Sequence, residues 1–207
     1  MMRLFAAILL LTGLVACGPA GERDSVLAPL QSGITGIFRP GPRPSTAASV
    51  RAALTPAARA SLGNRPLKIA VLERRNQASV LIENTRNRDV VTYLTPDGVS
   101  VSLRQGVLVA TRGLGFDLMT ADVDAVLPAL RGGGQGVVRV HRYLDGEEQV
   151  VIRSFICDYT GRGTVTETCH SDGFKITNSY QLGGGGIIAS RQWVSPEQGY
   201  LRLEPAE

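Results

Sequence analysis

Val99, Val101 and Leu103 are apolar, and Ser100, Ser102 and Arg104, alternating with them, are polar. Such a period of two puts one set of side chains on each face of a β-strand, one face buried and one wet. The same alternation sets Phe174, Ile176, Tyr180 and Leu182 against Lys175, Thr177, Ser179 and Gln181. Strand signals recur at 67–74, 78–84, 89–95, 99–105, 106–112, 136–144, 148–157, 163–168, 174–182, 187–194 and 199–204. Turn chemistry separates them: Asn87-Arg88-Asp89, Pro96-Asp97-Gly98, Asp145-Gly146 and Asp172-Gly173. Asp-Gly between alternating runs marks a hairpin, because glycine takes a positive φ at little cost. The connections are short and no β-α-β rhythm appears. The expected fold is therefore all-β, an antiparallel meander forming a barrel-like or sandwich-like domain. A content of 43% hydrophobic and 19% charged residues suits a globular chain. The 24 glycines, without a three-residue period, suit many turns.

Two stretches read as helical. Residues 47–54 and 56–62 form short helices with Thr46 and Thr55 as N-caps, Pro56 in the first turn and Gly63 as the stop. Residues 117–130 carry Leu118, Ala121, Val123, Ala125, Val126, Leu127 and Leu130 on a helical face broken at Pro128. Asp117 is placed as the N-cap of that helix, a position where Asn serves nearly as well.

The N-terminus predicts where the chain goes. Arg3 precedes an apolar run over 4–15, and Leu14-Val15-Ala16-Cys17 follows. The run is shorter than the roughly 20 residues a membrane-spanning helix needs, and the pattern is that of a secretory signal. Its last four residues match a bacterial lipobox at every position. Residues 1–16 are read as a lipoprotein signal peptide and Cys17 as the acylated N-terminus. Gly18, rather than Asp, follows Cys17, which points to the outer membrane with the protein facing the periplasm. Residues 17–44, rich in Gly, Pro and Ser, form the lipidated end and a flexible tether. Residues 45–207 form a single β-rich domain.

Charge narrows the partners. The chain carries +4 from 22 basic and 18 acidic residues, and the longest basic run is Arg74-Arg75. A nucleic-acid protein concentrates its cations into a stripe, so no nucleic-acid partner is expected. A mild positive charge suits contact with an anionic polymer or lipid. Besides Cys17, the cysteines are Cys157 and Cys169. In an oxidising compartment a leftover pair is expected to join as a disulfide. Zinc held by Cys157, Cys169, His170 and His141 would match no known ligand spacing, so no metal and no cofactor are expected.

Gly113-x-Gly115 lacks the third glycine of a dinucleotide fingerprint, and no Lys-Ser/Thr pair follows the glycine run 183–186. Both read as turns. No Gly-x-Ser-x-Gly elbow accompanies His141 and His170. Charged faces and hairpin tips account for Asp122, Asp124, Glu147 and Glu148. Trp193 and the tyrosines read as core rather than as sugar-stacking platforms. No catalytic residue is assigned.

Asp97-Gly98-Val99, Gly106-Val107-Leu108 and Thr111-Arg112-Gly113-Leu114-Gly115-Phe116-Asp117-Leu118 together resemble the YjbF/GfcB group of bacterial lipoproteins. The likeness is densest between about 67 and 130, with Gly113, Gly115 and Asp117 as its structural motif. The resemblance implies a β-rich domain tied to capsule and exopolysaccharide operons, with no assigned reaction. The expected function is a non-enzymatic, lipid-anchored periplasmic factor that assists exopolysaccharide or capsule production or export. It would bind polysaccharide-export proteins of the envelope or the polymer itself. A carbohydrate-active enzyme of the same pathway and a generic envelope-stability lipoprotein are the alternatives.

Overall fold

The computed structural model describes residues 45–144, 147 and 149–207. The signal segment, Cys17, the tether over 17–44, Glu148 and the Asp145-Gly146 turn lie outside the described residues. Among those described, two short helices lead into the sheet: α1 (Ala47–Ala53) and α2 (Pro56–Ser61). The Thr46 hydroxyl accepts from the Ser49 N–H, the Thr55 hydroxyl accepts from the Ala58 N–H, and Pro56 lies in the first turn of α2, all as the sequence predicts.

Twelve strands follow: β1 (Leu67–Leu72), β2 (Gln77–Asn87), β3 (Val90–Leu94), β4 (Ser100–Arg104), β5 (Val107–Arg112), β6 (Leu118–Asp122), β7 (Gly134–Leu144), β8 (Val150–Thr160), β9 (Thr164–Ser171), β10 (Phe174–Gly183), β11 (Gly186–Ser195) and β12 (Gly199–Pro205). Eleven of them fall where alternation places them. All belong to one antiparallel sheet in the order β5-β4-β3-β2-β1-β12-β11-β10-β9-β8-β7-β6. The first and last strands pair, Lys68 opposite Pro205 and Leu72 opposite Leu201. The sheet nearly closes on itself, so the barrel-like form of the expected fold is the one adopted. The remaining gap, a seam, falls in mid-sequence between β5 and β6. These two strands lie side by side without a ladder.

The helix expected over 117–130 is a correction. Residues Leu118–Asp122 form β6, and only Val126–Gly132 are helical, as α3. The pairing of β6 with β7 shifts register between Leu118 and Thr120. This bulge separates the buried Leu118 and Ala121 by three positions rather than two, which imitates helical spacing. Pro128 sits in the first turn of α3, where its missing N–H breaks no helical hydrogen bond. Asp117 is therefore not a helix N-cap; Ala125 holds that position in α3, without a side-chain bond.

A large core fills the barrel, and a smaller one lies outside it. Val50, Leu54 and Leu62 of the helical segment pack on Ile69, Val71, Val80 and Ile82. Arg51 secures α1 to Glu204 of β12 at 2.9 Å. Because Ile69 and Val71 face the helices, the alternate residues of β1, Lys68 and Ala70, face the lumen.

Cys157 of β8 and Cys169 of β9 are directly opposite one another and disulfide-bonded. The bond closes 12 residues of separation, which in the chain-entropy picture stabilises by about 3 kcal/mol. Replacing both cysteines by Ser is expected to lower the urea-unfolding free energy by up to about that amount. Two titratable thiols in the unreduced protein would contradict the bond.

Candidate functional site

A cluster of polar side chains lies inside the barrel rather than on its rim. Arg139 and His141 of β7, Glu167 of β9, Asn178 of β10 and Gln192 of β11 are all fully buried. One Arg139 nitrogen, Nη1, reaches Glu167 at 2.9 Å and the Tyr180 hydroxyl at 3.1 Å. Its Nε donates to His141 Nε2 at 2.6 Å, and its Nη2 donates to the Leu108 carbonyl at 3.4 Å. Glu167 also accepts from the Tyr159 hydroxyl, the Tyr180 hydroxyl and the Asn178 amide.

Electrostatics follow the geometry. Burial opposes the charge on Arg139, but Glu167 and the neighbouring tyrosines outweigh it and raise the guanidinium's pKa. Burial opposes the Glu167 charge too. Arg139 and the three donors outweigh it, so its pKa is lowered from 4.5. Burial, then Arg139, pushes His141 far below its usual range. His141 is neutral, with Nε2 as acceptor and the Nδ1 proton directed to the Tyr143 hydroxyl, 2.7 Å away. Burial raises the Tyr143 pKa to about 12.

The signature segment 111–118 forms the seam. The Asp117 carboxylate accepts from the Thr111 hydroxyl at 2.7 Å, the Gly113 N–H at 2.9 Å and the Leu114 N–H at 3.3 Å. Thr111 in turn accepts from the Leu118 N–H. The φ angles of Gly113 and Gly115 are +89° and +101°, in the left-handed region that favours glycine. All three motif residues thus come together, and Asp117 caps the loop joining the sheet's two edges. Neighbouring strands hold this loop. Ser195 donates to the Phe116 carbonyl, and Gln198 and Arg75 donate to that of Leu114.

Other sequence-derived candidates separate. Cys157, Cys169 and Glu167 offer ligand atoms within 4.8 Å of one another. The two sulfurs are bonded to each other and Glu167 is engaged by Arg139. His141 is buried in the lumen while His170 is exposed, so the four-residue zinc set is not assembled. Trp193, Tyr143, Tyr159 and Tyr180 are core, and edge-on and tilted ring contacts run from Tyr143 through His141, Phe155 and Phe174 to Trp193.

An open cleft of about 810 Å³ lies at one mouth of the barrel. The β2–β3, β4–β5 and β10–β11 hairpins and α3 surround it. Lys68, Arg86, Asp89 and Arg131 line it together with Tyr93, apolar side chains and the glycine run 183–186, of which Gly183, Gly185 and Gly186 face it. Asp89 is bound by Arg104 at 2.6 Å, and Arg86 by Glu83 at 3.0 Å. Arg131 meets only the neutral amide oxygen of Gln105 among the hydrogen bonds of the described residues. Sequence reasoning missed Lys68 and Arg131. One faint signal was available: Lys68 interrupts the apolar run of β1.

Comparison with known proteins adds a family and a fold. A family model described as "Group 4 capsule polysaccharide lipoprotein gfcB, YjbF" matches residues 48–205. The crystal structure of the hypothetical lipoprotein YmcC from Escherichia coli (K12) is similar, with a TM-score of 0.59 and 14% identity. The match covers 81% of this chain and 98% of that one. No curated protein matches the chain in sequence.

Two outcomes follow from the geometry. Both Asp117 oxygens accept, so an amide would turn an NH₂ toward a donor. Asp117→Asn is expected to destabilise by about 1–3 kcal/mol, unlike a helix cap, where Asn is nearly neutral. Thermal unfolding of the Asn and Ala variants decides between the two. Glu167→Gln leaves Arg139 buried without its counter-charge and is expected to cost about 3–5 kcal/mol. Because the folded pKa of Glu167 is depressed, its contribution is complete above the unfolded value and is lost as pH falls through the folded one. Stability measured below pH 4.5 is expected to fall more steeply in wild type than in Glu167→Gln.

Proposed function

Because the chain belongs to the YjbF family of group 4 capsule polysaccharide lipoproteins, we propose that it is a lipid-anchored, non-catalytic factor of capsule or exopolysaccharide output. It works at the periplasmic face of the outer membrane and binds polymer or export proteins of the envelope. The family supports a role in the capsule polysaccharide pathway. The lipobox ending at Cys17, followed by Gly18, supports the anchor and its membrane. Two or more acyl chains hold a protein to a bilayer stably, at about 0.8 kcal/mol per buried CH₂.

The observation that carries the non-catalytic reading is where the ionisable groups sit. Arg139, His141 and Glu167 are fully buried and hydrogen-bonded to one another or to core residues. A glycosidase needs two carboxylates flanking an open sugar site, about 5 to 9.5 Å apart. Among the described residues the open cleft is lined by one carboxylate, Asp89, and Arg104 occupies it. That arrangement favours holding a ligand over cleaving it.

Deletion of the gene is expected to reduce exported polymer while sugar-nucleotide pools persist. Cys17→Ser is expected to give unlipidated protein and to fail in complementation. Asp89→Asn, correctly folded, is expected to restore output. Unchanged polymer on deletion rejects the pathway role. Glycan cleavage by the pure protein, together with a null but folded Asp89→Asn, supports the enzyme instead.

A further inference from the structure

We propose that the cleft at the mouth of the barrel binds an acidic sugar unit, a carboxylate-bearing pyranose, with Lys68 and Arg131 receiving its charge. This deepens the reading above and rests on it for the ligand's source in the cell.

Lys68 carries the argument. It is half-buried on the lumen face of β1 and lines the cleft. Its ammonium has no hydrogen bond or ion pair among the described residues. A cation taken partly out of water without a partner is disfavoured, and burial does lower its pKa. Among the described residues nothing offsets that cost. The chain has 22 basic residues, of which Lys68 and Lys175 alone are lysines. An aliphatic residue would extend the apolar run of β1 and pack as well.

Arg131 supplies the second unneutralised charge. It projects from the last turn of α3 and donates to Gln105, a neutral partner that an incoming carboxylate displaces or shares. The other charges of the lining are paired within the protein: Arg86 with Glu83, and Asp89 with Arg104. The cleft therefore offers two free cations to a ligand, and arginine holds a carboxylate through paired N–H donors.

The remaining lining identifies the rest of the ligand. Leu127, Leu130 and Ile187 offer apolar contacts suited to the C–H face of a pyranose. The Gln105 amide and the backbone at Gly183, Gly185 and Gly186 offer donors and acceptors for hydroxyl groups. A side chain at Gly186 would meet no atom within 4 Å, so the glycine keeps open space on that side. A cleft of about 810 Å³ is of the size that holds a small ligand or a short segment of polymer. A phosphate head group would use the two cations but leave the hydroxyl-binding groups idle.

The test uses the full chain purified in detergent and isothermal calorimetry with three probes. These are an oligogalacturonate, a maltooligosaccharide of equal length, and glycerol 3-phosphate as the head-group control. The oligogalacturonate is expected to bind at least tenfold more tightly than the other two. Lys68→Met and Arg131→Gln are each expected to weaken it at least tenfold. Lys68→Met is also expected to melt no lower than wild type, because it removes a desolvated charge. Arg131 is exposed, so Arg131→Gln reports on binding whatever Lys68→Met does to folding. Equal binding of the neutral oligomer, tighter binding of glycerol 3-phosphate, or unchanged affinity in the two folded variants overturns the site. Loss of polymer in the deletion strain without oligogalacturonate binding rejects the cleft and leaves the pathway role. Binding with normal polymer output on deletion does the reverse.

Discussion

A sheet that stops one pairing short of closure has two edges, and their unpaired N–H and C=O groups have to be satisfied by something other than a strand. This constraint organises the molecule. On the β5 edge, Gln192 accepts from the Leu108 N–H at 2.7 Å and donates to the Gly106 carbonyl at 2.9 Å. Arg139 donates to the Leu108 carbonyl. On the β6 edge, Arg112 donates to the carbonyls of Leu118 and Met119. Buried polar side chains on the β5 edge and the exposed Arg112 on the β6 edge thus stand in for the missing ladder. The buried ones can do so because β5 leans across the lumen to β11, where Gly106 approaches so closely that a Cβ would lie 2.7 Å from that of Ile187.

That demand explains an inverted pattern in β7, beside which β8 also turns aliphatic residues outward. Val138, Ile152 and Ile156 are more than half exposed, while Arg139 and His141 point inward. Hydrophobic burial alone would turn β7 over. Turning it over would remove Arg139 from Leu108 and strip Glu167 of its counter-ion. A register slip of one residue exchanges the two faces of a strand entirely. The alternative is therefore an uncompensated carboxylate, worth several kcal/mol, with free edge amides added to it. Across β8 and β9 the disulfide pins the same choice, since Cys157 and Cys169 occupy the inward phase beside Phe155 and Tyr159.

Strand positions were readable because turn chemistry and alternation are local. The caps of α1 and α2 were readable for the same reason. The β6 segment was not, because its bulge gave Leu118 and Ala121 a helical spacing. The importance of Asp117 was visible, and its role was not: the donors it meets on Thr111, Gly113 and Leu114 are close in sequence but serve a seam that only topology defines. The Arg139–Glu167 pair spans 28 residues, and neither strand's pattern names the other. The cleft gathers residues from β1 to β11, and a single lysine in an apolar run carried no hint of what would share its surroundings.

Seam and cleft are parts of one construction. Gly106 lines the cleft, and its carbonyl is held by Gln192, whose amide also reaches Ser190. Two residues on, Leu108 is held by Gln192 and Arg139, and through Arg139 by Glu167, Tyr180 and His141. The cleft's β4–β5 wall is consequently fixed from beneath by buried groups that have no water to compete for them. A binding surface fixed before its ligand arrives loses little conformational entropy on association. The buried ions thus hold open the cleft that the fold leaves at its mouth, and need no chemistry of their own to matter for function.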